Sequence, residues 1–280
     1  MQKRGQLFIV ATPIGHLQDI SARAIAVLRQ VSLIAAEDTR HSGKLLQALG
    51  ISTPMVSLHE FNEFQRSEQV LERLLAGQDI ALISDAGTPL ISDPGSDLVK
   101  RALAEHIKVV PIPGPCAAIA ALSVSGLSTD SFIFEGFLPA KASARQKHLE
   151  KLVKESRTLV FYEAPHRICD LIQDMIKIWG PEHQAALAKE LTKMYETIVQ
   201  DSLQNILAWL EADPLHQKGE FVVMLEGVAR QTETSSDEIL PLLKILLEEL
   251  PTKQAAHLAA KITGKKKNEV YELALQLKKD

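Results

Sequence analysis

Up to residue 115, short apolar runs alternate with segments whose apolar residues recur every three or four positions. The runs at 7–11, 33–36, 55–58, 80–84 and 109–112 are apolar almost without interruption, as strands covered on both faces require. Between them, Ser21 is placed to cap a helix with Ile25, Leu28 and Val31 on one stripe. Ser67 is read as opening another helix, with Val70, Leu71, Leu74 and Leu75 on one side. This alternation predicts an α/β lobe built on a mostly parallel sheet. The second half repeats the style, with strands expected at 132–135, 158–162, 185–188 and 221–225. Helices are expected there at 143–154, 165–179 and 202–211. The string Gly136-Phe137-Leu138-Pro139-Ala140 reads as part of the connection between two lobes.

The pattern changes after residue 230. Residues 231–238 are polar and read as a linker, followed by an apolar helix at 239–250. Pro251 ends that helix and Thr252 is placed to cap the next, whose expected stripe is Ala255, Leu258, Ala259 and Ile262. Gly264 interrupts, and Val270, Leu273, Ala274 and Leu277 form a second stripe. Two short amphipathic helices about a glycine turn describe either a helix-turn-helix or a plain helical hairpin. The expected domains are therefore 1–118, 119–230 and 231–280.

Charge alters the picture more than composition does. The 280 residues carry a net charge of −4, which argues against a nucleic-acid partner only if it is evenly spread. Residues 251–280 hold seven Lys against Glu269, Glu272 and Asp280, a net of +4, leaving −8 on the rest. Lys265, Lys266 and Lys267 stand where the last helix begins, a suitable place for phosphates. A second basic stretch, 141–157, has six Lys or Arg against Glu150 and Glu155. Both stretches are either phosphate contacts or solvated helix faces. Two cysteines, Cys116 and Cys169, are too few for a disulfide framework and fit a reducing cytoplasm. The run at 7–11 is too short for a secretory signal core, and nothing approaches the roughly 20 apolar residues of a membrane span.

Ligands of open α/β sheets bind at the carboxyl ends of strands. Three loops at such ends are rich in small residues and proline: 11–15, 84–95 and 111–118. Small residues admit a ligand close to the backbone, and prolines hold each loop in one shape. The chain has no Walker phosphate loop, no Gly-x-Gly-x-x-Gly after its first strand and no His-Glu-x-x-His. His59, Glu60 and Glu63 without a further spaced ligand read as a polar loop, so no metal is expected. Cys116 is either an activated thiol near a helix start or a small buried apolar residue.

Taken together these loops carry a resemblance. Val10-Ala11-Thr12-Pro13-Ile14-Gly15, Ala35-Ala36-Glu37-Asp38-Thr39-Arg40, Ser84-Asp85-Ala86-Gly87-Thr88-Pro89 and Pro113-Gly114-Pro115-Cys116-Ala117-Ala118 follow one another in order. Glu135-Gly136-Phe137-Leu138-Pro139, Phe161-Tyr162-Glu163, His166-Arg167 and Lys189-Glu190-Leu191-Thr192-Lys193 come after them. From about residue 6 to about 228 the chain resembles the tetrapyrrole-methylase superfamily, the class III S-adenosylmethionine-dependent methyltransferases. Within it, the chain looks like the branch that 2′-O-methylates a cytidine ribose in small-subunit ribosomal RNA, and the basic tail looks like that branch's small helical domain. The resemblance implies two α/β lobes with S-adenosylmethionine in the cleft between them, a homodimer, and ribosomal RNA or the assembled small subunit as partner. It implies cofactor contacts from Pro13, Gly15, Asp85, Ala86, Gly87, Thr88, Pro89, Leu90, Ile91, Pro113, Gly114, Cys116, Ala117, Ala118, Tyr162 and Leu191. Thr12 to Gly15 would form the wall nearer the substrate. Gly87-Thr88-Pro89 stands where tetrapyrrole enzymes usually carry Gly-Asp-Pro, which lowers the case for a porphyrinoid substrate.

A ribose hydroxyl is a poor acid, so a carboxylate or imidazole able to take its proton is expected at the site. Glu60 is the first candidate, then Glu163, with His59 beside Glu60 and with His166 and Glu190 further choices. Arg40, Lys141, Arg145, Arg167, Lys189 and Lys193 join the three tail lysines as candidate RNA contacts; pairing with a carboxylate is the alternative for each. Two competing readings remain: a small-molecule methylase acting on a ring, and a nucleic-acid-binding regulator that senses a ligand through its α/β part.

Overall fold

The structure, a computed structural model, describes residues 4–228 and 236–277. It divides into two units, Met1–Val228 and Ala229–Asp280. The first lobe of the first unit runs β1 (Gln6–Val10), α1 (Ala22–Gln30), β2 (Leu33–Ala36), α2 (Thr39–Ala48), β3 (Met55–Ser57), α3 (Glu63–Leu75), β4 (Ile80–Ile83), α4 (Ser96–Ala104) and β5 (Lys108–Ile112). Its sheet is wholly parallel in the order β3-β2-β4-β1-β5. Every residue of β2 and β4 is buried, because alternate side chains feed two cores. Ile34 and Ala36 join Leu28 of α1 and Leu46 of α2, whereas Leu33 and Ala35 join Leu74 of α3 and Leu98 of α4.

The second lobe follows: α5 (Ala117–Val124), β6 (Phe132–Phe137), α6 (Ala142–Glu150), β7 (Thr158–Glu163), α7 (Ile168–Trp179), β8 (Gln184–Lys189), β9 (Thr197–Ser202), α8 (Leu203–Ala212) and β10 (Phe221–Leu225). Its sheet is ordered β6-β7-β10-β8-β9, parallel only between β6 and β7. One face packs on α6, α7 and α8; the other packs on Ala118, Ala121 and Leu122 of α5.

Two local readings are corrected. Gly136 and Phe137 are the end of β6, not part of a connection between lobes. Ser67 does not open α3 but lies buried inside it, four residues after the start at Glu63. Glu63 itself accepts the Gly95 and Asp97 amides, at 3.0 and 2.9 Å, and so caps α4 from another helix.

The second unit holds α9 (Ser236–Glu249), α10 (Thr252–Thr263) and α11 (Lys267–Gln276). The 231–238 linker reading falls outside the described residues up to 235, and its last three residues begin α9. Pro251, rather than Thr252, holds the cap position of α10. The buried stripe of α10 is Ala255, Ala256, Ala259 and Ala260; Leu258 and Ile262 point out to solvent. Methyl side chains let α9 and α11 come close to α10, so the small residues are the ones that face the core. Gly264, at φ 71°, turns the chain into α11, whose Val270 and Ala274 complete that core.

Candidate functional site

The parallel sheet ends its strands on one side, and there the first-lobe loops meet the second sheet around a cavity of about 470 Å³. Backbone and hydroxyl bonds stitch the three loops together. Thr12 and Gly87 exchange amide–carbonyl hydrogen bonds, 2.9 and 3.1 Å long, and the Thr88 hydroxyl donates to the Pro115 carbonyl at 3.0 Å. Thr12 is thereby buried as a fastening, and Ile14 is the residue of its loop that reaches the cavity. Asp85, Ala86, Gly87, Thr88 and Ile91 line the cavity from the second loop, Cys116 and Ala117 from the third. Opposite them stand Tyr162 and Glu163 at the end of β7, and Leu191 after β8.

The remaining residues of the implied cofactor set do not line it. Pro13, Pro89, Leu90 and Pro113 shape the loops, and Gly114 leaves room for Ala11, whose Cβ would sit 2.9 Å from an added methyl. The Ala118 amide, at the start of α5, donates to the Tyr162 hydroxyl at 3.1 Å and fixes that ring. Gly15 touches the second lobe: an added Cβ would lie 2.6 Å from Thr192 Oγ1 and from Lys193 Cγ. Gly15→Ala should therefore push the Leu191 loop outward and weaken S-adenosylmethionine binding about tenfold, as overpacking usually costs. Calorimetric titration checks this, and unchanged affinity would show that the two loops move independently.

Sequence reading had no signal for the backbone here. Among the described residues, five non-glycine positions have positive φ, and four of them are Leu90, Ser92, Glu190 and Thr192. These flank Ile91 and Leu191 on both sides, so each apolar cavity side chain is aimed by a strained pair. Glu37, Asp93, Phe137 and Glu220 also line the cavity and went unpredicted as site residues. Burial first, then Asp93, holds the Glu37 carboxyl above its ordinary range, against the Asp85 amide that bonds it. Asp93 is raised as well, chiefly by burial, although Ser84 bonds it. The Tyr162 hydroxyl is pushed up by burial and the neighbouring Cys116.

Of the proton-accepting candidates, only Glu163 is in the cavity. Its side chain is fully buried, Oε1 accepting the Ala164 amide at 2.8 Å and Oε2 the Arg167 guanidinium at 3.1 Å. Burial raises its pKa by more than Ala164, Arg167, Arg145 and His166 lower it. Glu60 is exposed in the turn after β3 and does not line the cavity. His59 beside it is bonded through Nε2 to Asn62 at 3.1 Å and is likewise outside. Glu63, which follows this turn, is the residue of the polar cluster that caps α4.

The expected RNA contacts differ in exposure and pairing. Arg145 is buried and paired with Asp174 at 2.7 Å. Arg167 holds Glu163 and donates to the Leu138 carbonyl at 2.7 Å. Lys189 is buried at the end of β8. Lys193 bonds both Glu190 and Glu220 at 2.8 Å, leaving its charge locally neutralised. Lys141, Lys266 and Lys267 remain exposed, Lys265 is half-buried, and Arg40 stands 90% exposed beside Asp38.

Two α/β lobes closing on one cavity of backbone-rich loops and carboxylates define a methyltransferase of the tetrapyrrole-methylase class. Residues 6–207 match the family Tetrapyrrole (Corrin/Porphyrin) Methylases, and residues 233–278 match the RsmI C-terminal HTH domain. The chain is 54% identical to a Ribosomal RNA small subunit methyltransferase I of Pseudomonas aeruginosa, over 97% of each chain. It is 50% identical to the protein of that name in Escherichia coli O157:H7, over 98% of this chain and 96% of that one. The chain belongs to the family of ribosomal RNA small subunit methyltransferase I, and it is an S-adenosylmethionine-dependent methyltransferase. Among solved structures it is similar to the methyltransferase CobJ (TM-score 0.61, 17% identity, 80% of this chain and 95% of that one). It is also similar to diphthine synthase (TM-score 0.61, 15% identity, 79% of this chain and 90% of that one). At such identities the likeness is one of fold.

Proposed function

We propose that the chain methylates the 2′-hydroxyl of a cytidine ribose in small-subunit ribosomal RNA. One observation carries this reading: Glu37, Asp85, Asp93, Glu163 and Glu220 all line the cavity. Such an interior attracts a cationic donor and accepts a neutral base and ribose, while it repels phosphates. A ring edged with carboxylates would meet the same repulsion. Phosphates near the target are left to exposed cations of the first unit, Arg40 and Lys141, while the Lys265, Lys266 and Lys267 cluster of the second unit binds phosphates of the same RNA. The relatives named for ribosomal RNA, matched along almost their whole length, support the same substrate.

The donor fits the residues present. Its cradle is made of backbone and small side chains at 85–88 and 116–117, and the carboxylates complement a positive sulfur and an ammonium group. S-adenosylmethionine, when bound, supplies an electrophilic methyl group. The chain's part is to hold the ribose in line and to accept the hydroxyl proton as the oxygen attacks. Glu163 takes that proton, with Ala164 and Arg167 fixing its two oxygens. The active species in this reading is a homodimer, which sedimentation would show.

The test is transfer of labelled methyl from S-adenosylmethionine to unmodified small ribosomal subunits and to the naked RNA. The product should be one cytidine whose 3′ linkage resists alkali. Label on a base, or no label on either RNA, would overturn the reading. Replacing Lys265, Lys266 and Lys267 by Ala should flatten the plot of log affinity against log salt by about one unit for each phosphate these lysines neutralise. An unchanged slope would remove them from the interface.

A further inference from the structure

We infer that Phe137 is the platform on which the target base stacks inside the cleft; this rests on RNA being the substrate. The inference starts from a defect in β6. In a regular strand Phe134 and Phe137 would lie on opposite faces, since side chains alternate. The pairing of β6 with β7 shifts between Phe134 and Gly136, and Gly136 takes φ 66°. A β-bulge of this kind adds one residue and re-aims the side chains that follow. As a result both rings meet Tyr162, Phe134 at 4.9 Å and Phe137 at 5.6 Å between centroids, each edge-on. Without the bulge Phe137 would point to the face where Ile133 packs with α7 and α8.

The bulge also needs its glycine. A Cβ on Gly136 would lie 2.8 Å from Ser92 Oγ, so the first-lobe loop bearing Ile91 and Asp93 rests on the bulge itself. The ring thus stands where the two lobes close, in the same cavity as Glu163. Tyr162 beneath it is fixed by the Ala118 amide. Phe137 nevertheless remains 56% exposed, whereas Phe161 and Phe221 of the same lobe are buried. A large aromatic ring aimed into a cavity, braced from one side and left open on the rest, suits a flat partner. Stacking on such a ring is how proteins hold a single unpaired base, and every base offers a face for it. The carboxylates that line the same cavity repel phosphate, so the part of an RNA suited to reach Phe137 is a base turned out of its helix. Stacking tolerates all bases, so this residue sets affinity and position and leaves the choice of cytidine to other contacts.

The experiment compares the full-length wild type with Phe137→Ala, Phe137→Leu and Phe137→Trp on unmodified small ribosomal subunits. The expected result is a drop of about 10- to 100-fold in kcat/KM for the subunit with Ala and with Leu, near-complete recovery with Trp, and unchanged S-adenosylmethionine affinity by calorimetry. Leu keeps the bulk and apolar character, so it reports on stacking even if Ala unsettles the lobe. Full activity in Phe137→Leu would overturn the inference, because the ring would then only fill space. A loss of donor affinity equal to the loss of activity would overturn it too, assigning the ring to the cofactor. Wild-type protein that fails to label RNA strikes the RNA reading itself, whereas active wild type with unaffected variants strikes Phe137 alone.

Discussion

Replacing Arg145 with Ala should destabilise the second lobe by about 3–5 kcal/mol, the usual cost of leaving a buried charge without its partner. Arg145 and Asp174 are 4% and 3% exposed, joined between α6 and α7 by a hydrogen bond of 2.8 Å from Nε and an ion-pair contact of 2.7 Å from the terminal guanidinium nitrogen. Asp174 would keep Gln146 at 2.7 Å and Lys177 at 3.0 Å, but the lysine is 64% exposed and screened by water. Both tryptophans, Trp179 and Trp209, pack against this lobe's core, so their emission in urea reports its unfolding. The midpoint should fall while the slope with denaturant stays the same. A loss under about 1 kcal/mol would return Arg145 to the cations free to bind RNA.

The same pair has a defined pH dependence. Burial raises the Asp174 pKa, but hydrogen bonds from Gln146, Lys177 and Arg145 lower it further, and the net shift is downward. A depressed carboxylate stabilises the fold fully above its unfolded value of about 3.9, and that contribution is lost as pH falls through the lower folded value. Wild type should thus keep this part of its stability down to mildly acid pH.

Arg145 also shows where sequence reading stops. A run of six cations at 141–157 has one appearance whether its members face water or a carboxylate. Only the packing of α6 on α7 distinguishes Lys141, which is exposed, from Arg145, which is buried. The strands were legible because each buries both faces, as β2 and β4 do, and the apolar runs record it. The edge strand β9 was missed because it alternates exposed and half-buried residues and carries polar Gln200, Asp201 and Ser202. The helix α2 was missed for a similar reason, since its buried residues are Ser42 and Leu46.

The cavity loops were legible from their small residues, but the geometry that arms them was not. No composition signals that Leu90 and Ser92, or Glu190 and Thr192, adopt positive φ about an apolar side chain. The β6 bulge is equally silent, because Gly136 reads as a loop residue until its pairing with β7 is known. The polar cluster at 59–63 drew attention to Glu60 for chemical reasons, whereas the contact the structure shows from that cluster to α4 is made by Glu63.

The two carboxylates can be separated by experiment. Glu163→Gln should lower kcat for methyl transfer by about 10²-fold or more, with S-adenosylmethionine affinity unchanged, because an amide keeps the shape but accepts no proton. Glu60→Gln, at an exposed turn outside the cavity, should leave turnover near the wild-type value. The pH profile supplies a second readout. A base works when deprotonated, so the rate should rise with pH through the Glu163 pKa. Burial holds that pKa above the ordinary carboxylate value, about 4.3, and the acid limb of the profile should lie correspondingly higher. In Glu163→Gln the limb should vanish along with most of the rate. Arg167→Lys offers the finer test, since it preserves a cation but loses the guanidinium that also grips the Leu138 carbonyl. Its kcat should fall by less than that of Glu163→Gln, and its acid limb should shift further upward as the carboxylate loses a bonded donor. If Glu163→Gln turns over normally while Glu60→Gln does not, the proton goes to the turn after β3, and the cleft must close differently around RNA.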